Sequence, residues 1–93
     1  MKKAYPITIK KEKDFFVVFI PDFNLNTQGD TIADTIGMAR DAIGMAGCYR
    51  QDEGKAIPEA SNPKDIEADA KEIITLVDID FDDYRREHKN ITI

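Results

Sequence analysis

Cysteine and histidine each occur once in the chain, as Cys48 and His88. A single cysteine excludes an internal disulfide, and with no second cysteine or histidine near it in sequence it cannot anchor a zinc site. Long hydrophobic runs are missing too. Stretches such as 15–21 fall far short of the roughly 20 apolar residues that cross a bilayer. No basic start leads into a hydrophobic signal core, so the sequence predicts a soluble, cytoplasmic protein without an export signal and without a membrane partner. Positive charge is the minority sign: 13 Lys and Arg stand against 18 Asp and Glu, for a formal net charge of −5. Between Glu59 and Asp83 the acids outnumber the bases several-fold. That balance opposes attraction to a nucleic-acid backbone and suits a basic partner, although acidity also serves plain solubility.

What is present is enough for one core. A chain of 93 residues cannot be divided into two, and 42% hydrophobic with 33% charged residues is an ordinary globular composition. Tyr5, Ile7 and Ile9 alternate with Ala4, Pro6 and Thr8, the period of a strand, and Pro6, lacking an N–H, belongs near a strand start or a gap in the ladder. After a charged turn over 10–14, Phe15 to Ile20 is a β-branched and aromatic run that predicts a second strand, stopped by Pro21 and Asp22. A third strand fits Phe23 to Gln28, giving an antiparallel meander.

Thr31 then suits a helix N-cap, with Asp34 three residues on able to reach back to its N–H. Ile32, Ile36, Ala39, Ile43 and Ala46 recur at spacings of four and three, one stripe that can pack on the meander. Gly37, Gly44 and Gly47 each cost about 1 kcal/mol relative to Ala, so the helix is expected to fray after Gly44. Turn formers between Asp52 and Pro63 predict an exposed loop whose end Ile66 pins. Glu72 to Asp80 alternates as a fourth strand, and a strand reached through a helix is expected to run parallel to its neighbour. Phe81 to His88 fits a short helix with Arg85, Arg86 and His88 at its C-terminal end, where positive charge is favoured.

The order Tyr5-Pro6, an aromatic strand ending in Pro21-Asp22, and Thr27-Gln28-Gly29-Asp30-Thr31 before a helix resembles the HicB-like antitoxin pattern. Ile57-Pro58-Glu59-Ala60-Ser61 is similar to the loop after that family's helix, and Val77-Asp78-Ile79-Asp80 to its last strand, so the resemblance covers about residues 4–84. It implies an α/β (α+β) fold of the partial ribonuclease H-like kind: a three-stranded antiparallel meander, one long helix packed on the sheet, and a fourth strand beside the first. It also implies an antitoxin whose partner is a small basic HicA-like ribonuclease toxin acting on messenger RNA, bound and occluded. Two departures stand out. Thr35 and Gly37 occupy positions where the family's helix has better helix formers. Lys89-Asn90-Ile91-Thr92-Ile93 looks like the opening strand of a ribbon-helix-helix domain, but no helix of such a domain follows, so DNA binding is not carried over. The expected division is a domain over 1–84 and a tail over 85–93.

Chemistry is weakly represented. A ribonuclease H-like nuclease needs carboxylates on the first strand, the helix and the fourth strand to hold metal ions that activate water. Asp78 and Asp80 lie on the right strand, but Ala4 to Ile9 carries no acid, so these aspartates read as a solvated strand end. No catalytic, cofactor-binding or metal-binding residue is assigned. His88 reads as a surface histidine, Cys48 as a small buried side chain with only Arg50 as a basic neighbour, and the cluster of Phe15, Phe16 and Phe19 as mostly core. Thr27-Gln28-Gly29-Asp30 is not a phosphate loop, having one glycine, no lysine and an aspartate that repels phosphate; Gly29 is expected to permit the turn. Pro21, Asp22, Phe23, Thr27, Gln28 and Asp30 are assigned to a structural corner that also contacts the partner.

The leading expectation is therefore an antitoxin that meets its toxin through an acidic face and an exposed sheet edge, itself a homodimer or higher oligomer. A ligand- or protein-binding module that kept the fold without a toxin is the alternative. A magnesium- or manganese-dependent nuclease built on Asp78 and Asp80 is the remote third.

Overall fold

The computed structural model describes residues 1–88. Four strands, β1 (Lys2–Lys11), β2 (Phe16–Ile20), β3 (Leu25–Gly29) and β4 (Glu72–Asp80), form one sheet in the order β3-β2-β1-β4. Helix α1 (Ile32–Asp52) follows the meander and α2 (Phe81–His88) follows β4. Every strand pair is antiparallel. The fourth strand thus lies beside the first, as expected, but runs opposite to the expected direction. Residues 53–71 are the reason: the segment between α1 and β4 is long enough to recross the sheet, so the helix no longer dictates which way the next strand enters.

The loop's path is held by side chains. The Tyr5 hydroxyl donates to the Pro58 carbonyl at 2.7 Å, Lys3 pairs with Glu59 at 3.2 Å, and the Ser61 N–H donates to Asp22 at 2.9 Å. Beyond a single 3-10 turn at Pro63–Asp65 and half-buried Ile66, the chain enters β4 opposite Lys10, the far end of β1.

Alternation sorts the sheet into two faces. Tyr5, Ile7, Ile9, Val18, Ile20, Val77 and Ile79 face α1 and are buried, joined by Ala39, Ile43 and Phe81. Each large member contributes about 1.5–3 kcal/mol of burial. Pro6 and Thr8 are buried as well, on the opposite face. The β1–β2 register stops at Thr8–Phe19, so Pro6 sits past the last paired residue of β2 and its missing N–H breaks no bond there.

Three sequence expectations need correction. Phe23 is not in β3: Pro21–Phe23 is a 3-10 turn closed by Asn24 at φ 51°, and Phe23 is buried edge-on against Tyr5, centroids 5.0 Å apart. Gly29 does not have a positive φ; it is required because a Cβ there would sit 2.7 Å from the Thr35 nitrogen. Helix α1 does not fray after Gly44 but continues two turns to Asp52, because α2 lies across it. A Cβ on Gly44 would overlap the Tyr84 ring and one on Gly47 the Phe81 ring. The helix ends in a Schellman arrangement, Lys55 N–H to Arg50 carbonyl at 2.8 Å and Gly54 N–H to Gln51 carbonyl at 3.0 Å, with Gly54 at φ 73°.

Thr31 is the N-cap, its hydroxyl accepting from the Asp34 N–H at 3.0 Å; among the described residues the reciprocal bond from the Thr31 N–H to the Asp34 carboxylate is absent. Thr35, a poor helix former by propensity, is fully buried and returns its hydroxyl to the Thr31 carbonyl at 2.7 Å. Of the predicted stripe, Ala39 and Ile43 are buried and Ile36 and Ala46 half-buried, while Ile32 is exposed, since the first turn overhangs the end of β3. The expected strand at 89–93 lies outside the described residues.

Candidate functional site: an acidic groove along the first half of α1

The six residues assigned from sequence divide into two groups. Pro21, Asp22 and Phe23 form the corner. Asp22 accepts from both the N–H and the hydroxyl of Ser61, tying the long loop to the end of β2, and Phe23 is packed on Tyr5. Burial, reinforced by the nearby Asp22 and Glu59 carboxylates, pushes the Tyr5 hydroxyl up to about 12. This corner is occupied with internal bonds. Thr27 pairs with Val18 within the sheet and is half-buried.

Gln28 and Asp30 belong elsewhere. With Gly29, Ala33, Asp34, Gly37 and Met38 they line an open groove of about 570 Å³ between the end of β3 and the first turns of α1. Asp30 and Asp34 are exposed, and among the described residues neither has a salt-bridge partner. Gly37 is a helix-interior glycine whose added Cβ would meet nothing within 4 Å, so the fold itself gives no reason for it. Further along the same helix Met45 and Tyr49 are 60% and 65% exposed, continuing an apolar line from Met38. Sequence reasoning missed these three. Their spacing of seven and four places them on one helical face away from the core stripe, a signal that was available.

The second half of α1 is clasped by α2. The Tyr84 hydroxyl donates to Asp41 at 3.0 Å, and burial, then Asp41, push that hydroxyl up to about 12. His88 is not a free surface side chain: it stacks on Tyr84 at 3.9 Å and its Nδ1 donates to the Tyr84 carbonyl at 2.8 Å. Arg85 donates to the Cys48 carbonyl and to Gln51, both at 3.1 Å. Cys48 is half-buried, and burial raises its thiol against the lowering effect of Arg85.

The two strand aspartates are engaged with cations. Arg40 holds Asp78 at 3.1 Å and also donates to its carbonyl at 2.8 Å, with Lys2 at 3.9 Å, so the carboxyl lies below its usual range, chiefly through the Arg40 bond. Asp80 caps α2 through the N–H groups of Asp82 and Asp83 and faces the terminal amine of Met1 at 3.5 Å; those N–H bonds, Asp83 first, lower its carboxyl too. Among the described residues no group of three or more His, Cys, Asp or Glu side chains is placed to hold a metal ion, and no helix is long and apolar enough to cross a membrane.

Residues 5–93 match the family described as "HicB_like antitoxin of bacterial toxin-antitoxin system". The chain belongs to that family. Solved structures agree with the assignment. A chain of a toxin-antitoxin complex from Streptococcus pneumoniae superposes with a TM-score of 0.78 at 18% identity, covering 90% of this antitoxin and 73% of that chain, a likeness of fold. A chain of the HicA3 and HicB3 toxin-antitoxin complex superposes with a TM-score of 0.68 at 27% identity, covering 84% of this chain and 99% of that one. No curated protein matches the antitoxin.

Proposed function

We propose that this HicB-like antitoxin binds a HicA-type toxin through the groove and exposed face of α1, with Gln28, Asp30, Asp34 and Met38 at its centre. Gly37 carries the proposal. A glycine that lowers helix stability by about 1 kcal/mol, and that nothing among the described residues needs, fits a place where a partner's backbone comes close. Carboxylates at Asp30 and Asp34, at the head of an apolar line, match a basic toxin surface, steering encounter by charge and holding it by burial of Met38, Met45 and Tyr49. The corner at Pro21, Asp22 and Phe23 lies at the other end of β3 from the groove, where Ile20 pairs with Leu25, and holds the end of β2 and the long loop.

In this reading the protein acts by occlusion and not by catalysis. Asp78 and Asp80, the acids a nuclease would need, are committed to Arg40, Lys2 and the terminal amine. The strand order, with α1 between the third and fourth strands, supports a partial ribonuclease H-like scaffold. Residues 1–84 with the tail 85–93 act in the cytoplasm as a homo-oligomer, and the acidic balance argues against direct nucleic-acid contact. The test is co-expression with the product of the adjacent small open reading frame. Wild type should form a complex and restore growth. Asp30→Lys with Asp34→Lys should lose both while the fold, by circular dichroism, is kept. A fully active double variant would overturn the surface, and no complex with wild type would overturn the toxin reading, favouring a binding module without a toxin.

A further inference from the structure

Among the described residues the sheet has one long open edge, and it is β4. Pro6, opposite Leu76, has no N–H to give, so that pair must be a non-hydrogen-bonded site of the β1–β4 ladder. Alternation then turns the backbone N–H and C=O of Ile74, Leu76 and Asp78 away from β1, toward the edge. Arg40 agrees with this, since its Nε donates to the Asp78 carbonyl from that side. The Glu72 N–H is already taken by the Asp69 carbonyl at 3.1 Å. What stays open is the Glu72 carbonyl and both groups of Ile74 and Leu76, none with a hydrogen-bond partner among the described residues beyond the ladder.

This open stretch is also apolar on both faces: Ile73 is 50% exposed, Ile74 38% and Leu76 49%. It carries no proline, inward charge or bulge of the kind that protects natural edges. From this we infer that the Glu72–Leu76 edge pairs with the same edge of a second copy, antiparallel about a two-fold axis through Ile74. The inference rests on the homo-oligomer reading above and gives it a surface.

Charge and blocking select both the occupant and the register. Centring on Ile74 sets Ile74 against itself and Glu72 against Leu76 of the second copy, so no like charges oppose. A shift to Thr75 would face Glu72 with Asp78 of the second copy, and a shift to Leu76 would draw Ile74 against the Asp78 that Arg40 covers. The paired stretch therefore ends where Arg40 closes the edge. The result doubles the four-stranded sheet and leaves the groove on α1 open.

The oligomeric mass of the full chain, read by light scattering at its highest attainable concentration, tests this. Wild type should have twice the monomer mass. Ile74→Pro removes an outward N–H that β1 does not use, and should give a monomer. Should that variant misfold, Ile74→Lys is the second route to a monomer. In a Cys48→Ala background, Ile74→Cys should form a disulfide-linked dimer on mild oxidation, since hydrogen-bonded antiparallel neighbours lie within disulfide reach, whereas Leu76→Cys, out of register with its own copy, should not. A dimer that survives both the Pro and the Lys substitution, and that gives no cross-link with Ile74→Cys, would overturn this interface alone. A monomeric wild type would overturn the interface and the homo-oligomer reading together, and toxin binding by that monomer would leave the antitoxin reading standing.

Discussion

Gly37 and Gly44 are two turns apart on nearly the same face of α1, yet their surroundings have nothing in common. At Gly44, and one turn later at Gly47, the rings of Tyr84 and Phe81 lie where a β-carbon would be; at Gly37 that space is open. The second half of α1 uses glycine to let a helix of its own chain approach. The first half, under the same propensity penalty, presents glycine to solvent in a groove that Asp30 and Asp34 also line. One half of the helix is thus covered and the other open, and on the proposed reading the covered half shows what a partner at the open one would look like: an aromatic or apolar group laid directly on the helix backbone.

Breaking the covered half should have the largest effect. Phe81 is 1% exposed, fills the space over Gly47 and meets Tyr5 edge-on at 6.3 Å. Phe81→Ala should destabilise the fold by about 3–5 kcal/mol, read as a fall in the urea midpoint at constant slope. Gly47→Ala tests the same contact from the other side. Its methyl group collides with a buried ring that cannot swing away, so a loss of about 1–3 kcal/mol is expected. A Gly47→Ala protein as stable as wild type would mean that α2 does not rest on α1 as described.

The contrast also marks what could be read from sequence. The bounds of β4 and α2 were legible end to end, because Glu72–Asp80 is a β-branched run entered from a turn-rich loop and Phe81–His88 changes period at an aromatic residue. The fraying expected at Gly44 failed because propensity counts the missing side chain of a glycine and cannot see the ring that replaces it. The direction of β4 was hidden by a loop long enough to allow either. The sequence assigns Gln28 and Asp30 to one corner with Asp22 and Phe23, whereas the fold puts the first pair on an open groove and the second in an internal staple, since a buried staple and an exposed groove have the same residue types when only the chain order is known.

At the open half the expected effects are opposite in sign. Gly37→Ala has room for its methyl group and should raise stability by about 0.5–1 kcal/mol, seen as a higher thermal midpoint of the free antitoxin. The same methyl group should weaken toxin binding on the order of tenfold, about 1.4 kcal/mol in titration calorimetry. Gain of stability with loss of affinity is the signature of a residue kept for a partner. A gain in stability with unchanged affinity would place the toxin on another surface.

The smallest effect separates packing from hydrogen bonding within the clasp. Tyr84→Phe keeps the ring over Gly44 and removes only the hydroxyl that donates to Asp41, so a loss of about 0.5–1 kcal/mol is expected near neutral pH. The alkaline range is more telling. Folding raises the Tyr84 hydroxyl from 10.0 to about 12, because burial and the Asp41 carboxylate both resist phenolate. A group raised in this way stabilises the fold fully below its unfolded value, and that contribution is lost as pH climbs from 10 toward 12. Tyr5, raised to about 12 mainly by burial, declines over the same window. Unfolding measured at steps across that window should therefore give a shallower fall for Tyr84→Phe than for wild type, with the remainder due to Tyr5. Equal slopes would show that Tyr84 ionises freely and that the clasp depends on its ring alone.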